Sequence, residues 1–169
     1  MDELAPWYVA HTKPRQEHIA QENLFRQGYS VYLPLMKVFK NVRNRQVVRF
    51  EPLFPRYIFF QPADAQQSIA PVRSTLGISA IVRFGQVPAI LSPETLKTIQ
   101  AFESSRNAAD FEEISTFKPG KIVVVTDGPF AGVEGLVSMA SEQRVVVLMQ
   151  LLGKQQRLKF GPHQLVVAG

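Results

Sequence analysis

The order of apolar and polar residues predicts a strand and then a helix at the start of the chain. WYVAHT, residues 7–12, alternates as a half-buried strand does. The next segment, PRQEHIAQENLFRQG, has helical spacing, and Ile19, Ala20 and Leu24 form its predicted core stripe. Gly28 stands where a glycine commonly ends a helix.

A group of strands and a second helix follow. The strands are rich in β-branched and aromatic residues and are separated by turn residues; they are YSVYLPLMKVFK (29–40), QVVRFE (46–51), RYIFFQ (56–61) and SAIVRFG (79–85). SPETLKTIQAFES (92–104) is the second predicted helix. Strands grouped in this way indicate an α+β fold with an antiparallel sheet flanked by helices, rather than a doubly wound parallel sheet.

The last part of the chain has two readings. Five short pieces at close spacing predict a small β-barrel; they are FKPGKIVVVTD, GVEGLVSM, RVVVLMQLL, QQRLKF and HQLVVAG. However, Leu136, Ala140, Val147 and Leu151 also stand at helical spacing, and no Asn-Gly or Asp-Gly turn interrupts that stretch. Periodicity alone leaves both a barrel and an α-helical alternative open.

Charge divides the chain into segments. Residues 103–116 contain four acidic side chains and one basic, whereas the segments on either side are net basic. We therefore interpret 1–102 as one domain, 103–116 as an acidic linker and 117–169 as a second domain, with a continuation of the second helix as the alternative to the linker. The net charge of +5 and the pI of about 9.7 favour acidic partners, nucleic acid first.

The sequence contains no recognisable catalytic motif. The chain has no cysteine, and its three histidines are dispersed without metal-binding spacing. Neither a nucleotide-binding nor a nucleophile motif is present. We expect a protein that is not an enzyme and needs no cofactor or metal. The acidic start and the absence of a long apolar run predict a cytoplasmic protein that is not inserted in a membrane.

Cationic and aromatic residues are more informative. Lys37, Lys40, Arg43, Arg45 and Arg49 surround a predicted hairpin turn, where they either contact phosphates or simply keep the hairpin soluble. Lys13, Arg15 and Gln16 open the first helix, where phosphate binding is favoured.

In RYIFFQ, Tyr57 and Phe59 share one face of the strand, and the opposite face carries two more apolar residues. One face fills the core. The other needs a cover, which is a helix, a second domain or a partner protein. The alternative is that both faces are covered within the domain.

Four segments, in this order, give the chain a resemblance to a known family. WYVAHTKPRQE, EPLFPRYIFFQ, GISAIVRFG and FKPGKIVVVTDGPFAGVEGLV together resemble the NusG family of transcription elongation factors. Within that family the chain looks closest to the specialised RfaH branch. The resemblance implies a NusG-type N-terminal domain, a linker and a C-terminal KOW barrel, which in that branch is alternatively an α-helical hairpin docked on the N-terminal domain.

The resemblance also implies partners. We expect a monomer that binds the clamp helices of RNA polymerase and suppresses pausing and termination, and the implied contact residues are Phe54, Tyr57, Phe59, Phe84 and Leu96. A non-template DNA strand is the second implied partner, at Lys13, Arg15, Gln16, Asn23 and Arg73. Asn23 and Leu76 depart from the residues expected there, and so does SIAP (68–71) at the second polymerase contact.

Two further sites are implied. Phe130, in the turn DGPFAGVEG, matches a loop residue of the KOW domain that recruits other factors, such as a small-subunit ribosomal protein. Leu152 stands where the family has an aromatic residue on a second loop of that surface. Glu51 and Arg144 match the pair that ties the two domains together. The alternatives are a general NusG-like factor with an undocked barrel and a KOW protein that binds ribosomal RNA.

Overall fold

The computed structural model describes residues 5–108 and 141–160. Contacts between Cα atoms divide the chain into two compact units. The first, here called the sheet unit, comprises the described parts of 1–33, 56–92 and 147–169, and the second, the hairpin unit, those of 34–55 and 93–146. The described part is a mixture of α-helices and antiparallel strands, so the predicted α+β class is confirmed.

The sheet unit is built on a five-stranded antiparallel sheet. Its strands are β1 (Trp7–Thr12), β2 (Ser30–Tyr32), β5 (Tyr57–Gln61), β6 (Ile78–Ile81) and β9 (Ile90–Leu91). Four of them follow the order β2-β5-β1-β6, and β9 also pairs with β1. A short ribbon of β7 (Arg83–Phe84) and β8 (Val87–Pro88) and a 3-10 turn at Ala70–Ser74 complete this part. The strand predicted at 79–85 is therefore divided between β6 and β7.

Helix α1, Glu17–Arg26, contacts β2 and β5. Ala20 and Leu24 are fully buried, as predicted, but Ile19 is 45% exposed, so its place in the core stripe was wrong. The helix buries a narrower stripe than the apolar spacing predicts. Gly28 has a φ of +92°, which confirms its helix-ending role because glycine adopts this conformation without steric cost.

The hairpin unit contains β3 (Leu35–Val42) and β4 (Arg45–Pro52), which pair along their whole length. Helix α2 (Pro93–Ala108) contacts β3. Residues 103–108, assigned to the linker from the sequence, instead continue this helix, as the alternative allowed. The rest of that segment, 109–116, lies outside the described residues, and the domain boundaries stay predictions.

Side chains of α2 form hydrogen bonds with the backbone groups at the edge of β3. The backbone N–H of Leu35 donates to Glu103 Oε2 at 2.6 Å, and the N–H of Lys37 donates to Asn107 Oδ1 at 2.8 Å. Asn107 Nδ2 donates to the Leu35 carbonyl oxygen at 3.1 Å, and Arg106 Nε donates to the Lys37 carbonyl oxygen at 3.2 Å. An open strand edge otherwise exposes such groups to chance pairing, so these three side chains fix the helix to the strand.

Helix α3, Ser141–Phe160, corrects one prediction of the C-terminal part. The strands predicted at 144–152 and 155–160 are absent, and a single helix takes their place, which is the open α-helical alternative. Its buried residues Val147, Leu148, Leu151 and Leu152 recur at one helical face, and no Asn-Gly or Asp-Gly turn separates the two predicted strands. The remaining predicted barrel strands, and any second helix of a hairpin, lie outside the described residues.

Candidate functional site

The aromatic candidates of the sheet unit are mostly buried. Strand β5 has Ile58, Phe59 and Phe60 fully buried, so both of its faces are covered. The Phe59 ring lies 6.1 Å from the ring of Tyr32, and Phe84, on β7, is only 7% exposed. Neither Phe59 nor Phe84 offers much surface to a partner in this conformation.

Tyr57 is the half-buried member of this group. Its ring centroid lies 5.0 Å from that of His11, the residue opposite it on β1. Burial raises the pKa of the Tyr57 hydroxyl, and the positive charge of Arg56 opposes that rise. Burial also lowers the pKa of His11, and the Arg56 charge lowers it further. The pair therefore presents a neutral, partly exposed aromatic surface at neutral pH.

Arg56 is itself held firmly, although the sequence search did not single it out. It adopts a φ of +72°, and its backbone N–H donates to Glu17 Oε2 at 3.3 Å. Its Nε donates to the carbonyl oxygen of Thr12 at 3.2 Å. These bonds connect the start of β5 to the end of β1 and to the first residue of α1. They therefore fix the position of Tyr57, the first residue of β5.

The hairpin unit holds the other two candidates for the polymerase contact. Phe54 is 1% exposed, and Leu96, on α2, is half-buried. Next to Phe54, the carbonyl oxygen of Leu53 accepts a hydrogen bond from Arg144 Nε at 2.7 Å. Arg144 is only 4% exposed, so a buried guanidinium of α3 lies at the segment that carries Phe54.

The electrostatics at Arg144 include its predicted partner. Burial lowers the pKa of the Arg144 guanidinium, the negative charge of Glu51 opposes this change, and the positive charge of Arg106 lowers the pKa further. Glu51 also forms an ion pair with Lys40, at 3.0 Å. The structure thus brings Glu51 into electrostatic interaction with Arg144, and it adds the Leu53 carbonyl, which the sequence did not predict.

The DNA-binding candidates all belong to the sheet unit. Lys13 and Arg15 are exposed in the loop between β1 and α1, and Arg73 is exposed in the 3-10 turn. Gln16 immediately precedes α1 and is half-buried. Asn23 is half-buried too, and its Nδ2 donates to the Ile19 carbonyl oxygen at 2.8 Å.

Backbone and side-chain contacts join the segments that carry these candidates. The N–H of Lys13 donates to the Gly77 carbonyl oxygen at 2.8 Å, and Gln27 Nε2 donates to Thr75 Oγ1 at 2.7 Å. Gly77 has a φ of +86°, and a Cβ there would stand 2.8 Å from the backbone nitrogen of Ala20. The segment after the 3-10 turn therefore packs directly on α1, and Leu76 in this segment is 67% exposed.

Only one of the two candidates for the KOW surface lies in the described part of the chain. Phe130 lies outside the described residues. Leu152 lies in helix α3 and is 1% exposed, rather than on the loop of a barrel. In this conformation it is not available to a partner, and its role in recruitment stays a prediction.

Comparison with known proteins identifies the family. A family model described as "Transcription termination factor nusG" matches residues 5–100. The chain belongs to the NusG family. The match includes all the described strands and α1, together with every candidate for polymerase and DNA contact named above.

Relatives align with most of the chain. A protein of Deinococcus radiodurans named "Transcription termination/antitermination protein NusG" is 28% identical over 88% of this chain and 92% of its own length. The protein of the same name from Thermus thermophilus is 28% identical over 96% of this chain and 98% of its own. A solved structure titled "Domain interaction in Thermotoga maritima NusG" is 21% identical and covers 77% of each chain, with a TM-score of 0.45.

In 5–108 and 141–160, no cluster of three or more His, Asp or Glu side chains is arranged to hold a metal ion. Within the same ranges, no helix has the length and apolar character needed to cross a membrane.

Proposed function

We propose that this protein is a transcription elongation and antitermination factor that acts by binding RNA polymerase. The observation that carries the proposal is the NusG family match over residues 5–100, which contains all five candidate polymerase contacts. The names of the relatives, which describe termination and antitermination proteins, support it. The clamp helices are the proposed docking site on the polymerase.

The proposed mechanism is differential binding. A rigid protein bound across the polymerase cleft disfavours an open, paused enzyme if its affinity for the closed state is higher. The mechanism needs no covalent step, so we assign no catalytic residue, cofactor or metal to this protein. We place the monomer in the cytoplasm, with the transcription machinery.

Polymerase binding by two variants tests the proposal. Tyr57→Ala removes a half-buried aromatic from the proposed contact, and such anchors often contribute about 2 kcal/mol or more to binding. Phe25→Ala is the matched control, because Phe25 is 73% exposed on α1 and is not part of the proposed contact. We expect only Tyr57→Ala to weaken binding. Equal effects of the two, or no polymerase binding by the unaltered protein, would reject the proposed contact.

We further propose an RfaH-like regulation in which the C-terminal part holds the protein inactive. Two observations support it: Phe54, Phe59 and Phe84 are buried rather than displayed, and Arg144 of α3 is bonded to Leu53 next to Phe54. Such a switch requires two packings of the C-terminal part that differ by only a few kcal/mol. Release of α3 would then expose the polymerase contact.

Arg144→Met separates this proposal from a general NusG-like factor. The variant removes the donor to Leu53 and the charge that faces Glu51. Under RfaH-like regulation we expect it to bind polymerase more tightly than the unaltered protein does. A general factor with an undocked C-terminal domain predicts unchanged affinity.

The proposed recruitment element is a single-stranded segment of non-template DNA, bound at Lys13, Arg15, Gln16, Asn23 and Arg73. The exposure of the three cations supports this assignment, since phosphate contacts require accessible charge. The amide nitrogen of Asn23 is already bonded within α1, which leaves its side-chain oxygen for a base. A small-subunit ribosomal protein is the proposed partner of Phe130 and Leu152 after release.

A further inference from the structure

The β3–β4 hairpin has two chemically different faces. Residues paired across an antiparallel ribbon lie on the same face, and the register gives the pairs Val42 with Arg45, Lys40 with Val47 and Val38 with Arg49. Each of these three pairs on this face, here called the basic face, combines one cation with one valine, and the fourth pair of the face is Met36 with Glu51. The cations alternate between the strands as they run along the ribbon.

The opposite face is aromatic. Its pairs are Leu35 with Pro52, Lys37 with Phe50, Phe39 with Val48 and Asn41 with Gln46. Lys37 Nζ lies 5.3 Å from the centre of the Phe39 ring, a cation–π distance. The aromatic rings of the hairpin are therefore kept off the basic face.

The turn adds a third arginine. Arg43 and Asn44 have φ values of 52° and 63°, which is the two-residue turn with both central residues in the left-handed region. Arg43, Arg45 and Arg49 are all exposed. Within the described part of the chain, none of the three arginine side chains has a hydrogen-bond or ionic partner. Glu51 is the one acidic residue of 35–52, and it forms an ion pair with Lys40.

We propose that Arg43, Arg45 and Arg49 bind the phosphate backbone of double-stranded DNA. A strand rises about 3.3 Å per residue, so Arg45 and Arg49 stand about 13 Å apart along the ribbon. Phosphates of one DNA strand recur about every 3.4 Å along the helix axis, so this distance matches about four steps. The unpartnered positive charge on one exposed face is complementary to that row of phosphates.

The composition of the basic face selects duplex over single-stranded DNA. Proteins that hold single strands stack the bases on aromatic side chains, and this face offers valines instead. A two-stranded ribbon also fits the major groove of B-form DNA, whereas the major groove of an RNA duplex is too deep and narrow to be read by side chains. This contact is separate from the single-strand surface of the sheet unit and does not depend on the proposed polymerase function.

Salt-dependent binding of the full chain to a labelled DNA duplex of mixed sequence tests the proposal. Each phosphate contact contributes about 0.9 to the slope of log K against log salt. We expect Arg45→Gln/Arg49→Gln to lower the magnitude of that slope by about 1.8 and to weaken binding throughout. Arg83→Gln/Lys97→Gln removes two other exposed cations, so it controls for net charge and should leave the slope unchanged.

Three outcomes would overturn the proposal: no duplex binding by the unaltered protein, equal losses in both double variants, or a larger loss on single-stranded DNA or duplex RNA than on duplex DNA. Binding of Lys13→Gln/Arg73→Gln to a single DNA strand tests the proposed recruitment site independently of the hairpin. The affinity of Arg45→Gln/Arg49→Gln for polymerase tests the proposed function independently of duplex binding.

Discussion

Arg144 donates from Nε to the carbonyl oxygen of Leu53 at 2.7 Å, and the residue is only 4% exposed. Burying a charged group is costly unless hydrogen bonds and an opposite charge compensate. Here the Leu53 carbonyl supplies the bond, and Glu51 supplies the charge. The relationship joins residues 91 positions apart in sequence within the hairpin unit.

Replacing Arg144 with Met should destabilise the protein. The variant keeps most of the side-chain length, but it leaves the buried Leu53 oxygen without this donor, which costs about 1–3 kcal/mol. Urea unfolding measures the loss, and Gln150→Met, at an exposed position of the same helix, is the control. A free energy of unfolding equal in the two variants would show that the bond contributes nothing.

Gly77→Ala should destabilise more than Gly28→Ala. Both glycines have positive φ, +86° and +92°, so each substitution introduces about 1–3 kcal/mol of backbone strain. A Cβ at position 77 would also lie 2.8 Å from the Ala20 nitrogen and 3.0 Å from the Gln16 oxygen, whereas at position 28 the nearest atom is 3.7 Å away on a side chain. Denaturant midpoints measure the stability of the two variants. Equal losses of stability would contradict the close approach of the Gly77 backbone to the backbone of Gln16 and Ala20.

Asn107→Leu should release the edge of β3 from α2. The substitution leaves the N–H of Lys37 and the carbonyl oxygen of Leu35 without their partner, and we expect a loss of about 1–3 kcal/mol in the free energy of unfolding. Ser105→Leu places the same side chain at an exposed position of the helix. If that control costs as much, helix propensity rather than the edge contact explains the loss.

His11 should make stability fall as the solution becomes acidic. Its pKa is lowered from 6.5 in the folded protein by burial and by Arg56, so the unfolded chain binds the proton first. Stability is therefore present above about pH 6.5 and is lost as the pH drops through the lower folded value. Thermal unfolding across this range should be less pH-dependent in His11→Gln than in His18→Gln, which changes an exposed histidine. Identical pH dependence in the two variants would contradict the effect.

Local patterns of apolar, polar and turn residues predicted several of the strands and helices. Alternation identified β1 and β5, and helical spacing with a terminal glycine identified α1. The same patterns could not show that Ile19 would be exposed, because that depends on how far the helix is rotated against the sheet. Nor could they show that both faces of β5 are covered.

Long-range contacts account for what the sequence did not predict. Glu103, Arg106 and Asn107 belong to an acidic, polar stretch that is typical of a linker, yet they are ordered in α2 by the edge of β3. Their 103, 106, 107 spacing, which puts them on one helical face, was the available signal. The helix at 141–160 was equally compatible with strands by periodicity, so tertiary packing decides between them. Of the candidate site, the residue types were predicted, but their burial was not.

The most direct test of the central claim is single-round transcription by bacterial RNA polymerase, with and without this protein, on templates that differ in non-template sequence. We predict faster passage through pauses, and an effect limited to some templates would favour RfaH-like recruitment over a general factor. Arg144→Met must be included, so that an inactive resting state is not mistaken for absence of activity. If neither the unaltered protein nor Arg144→Met binds polymerase or changes pausing, the account is contradicted, and binding to ribosomal RNA becomes the better explanation.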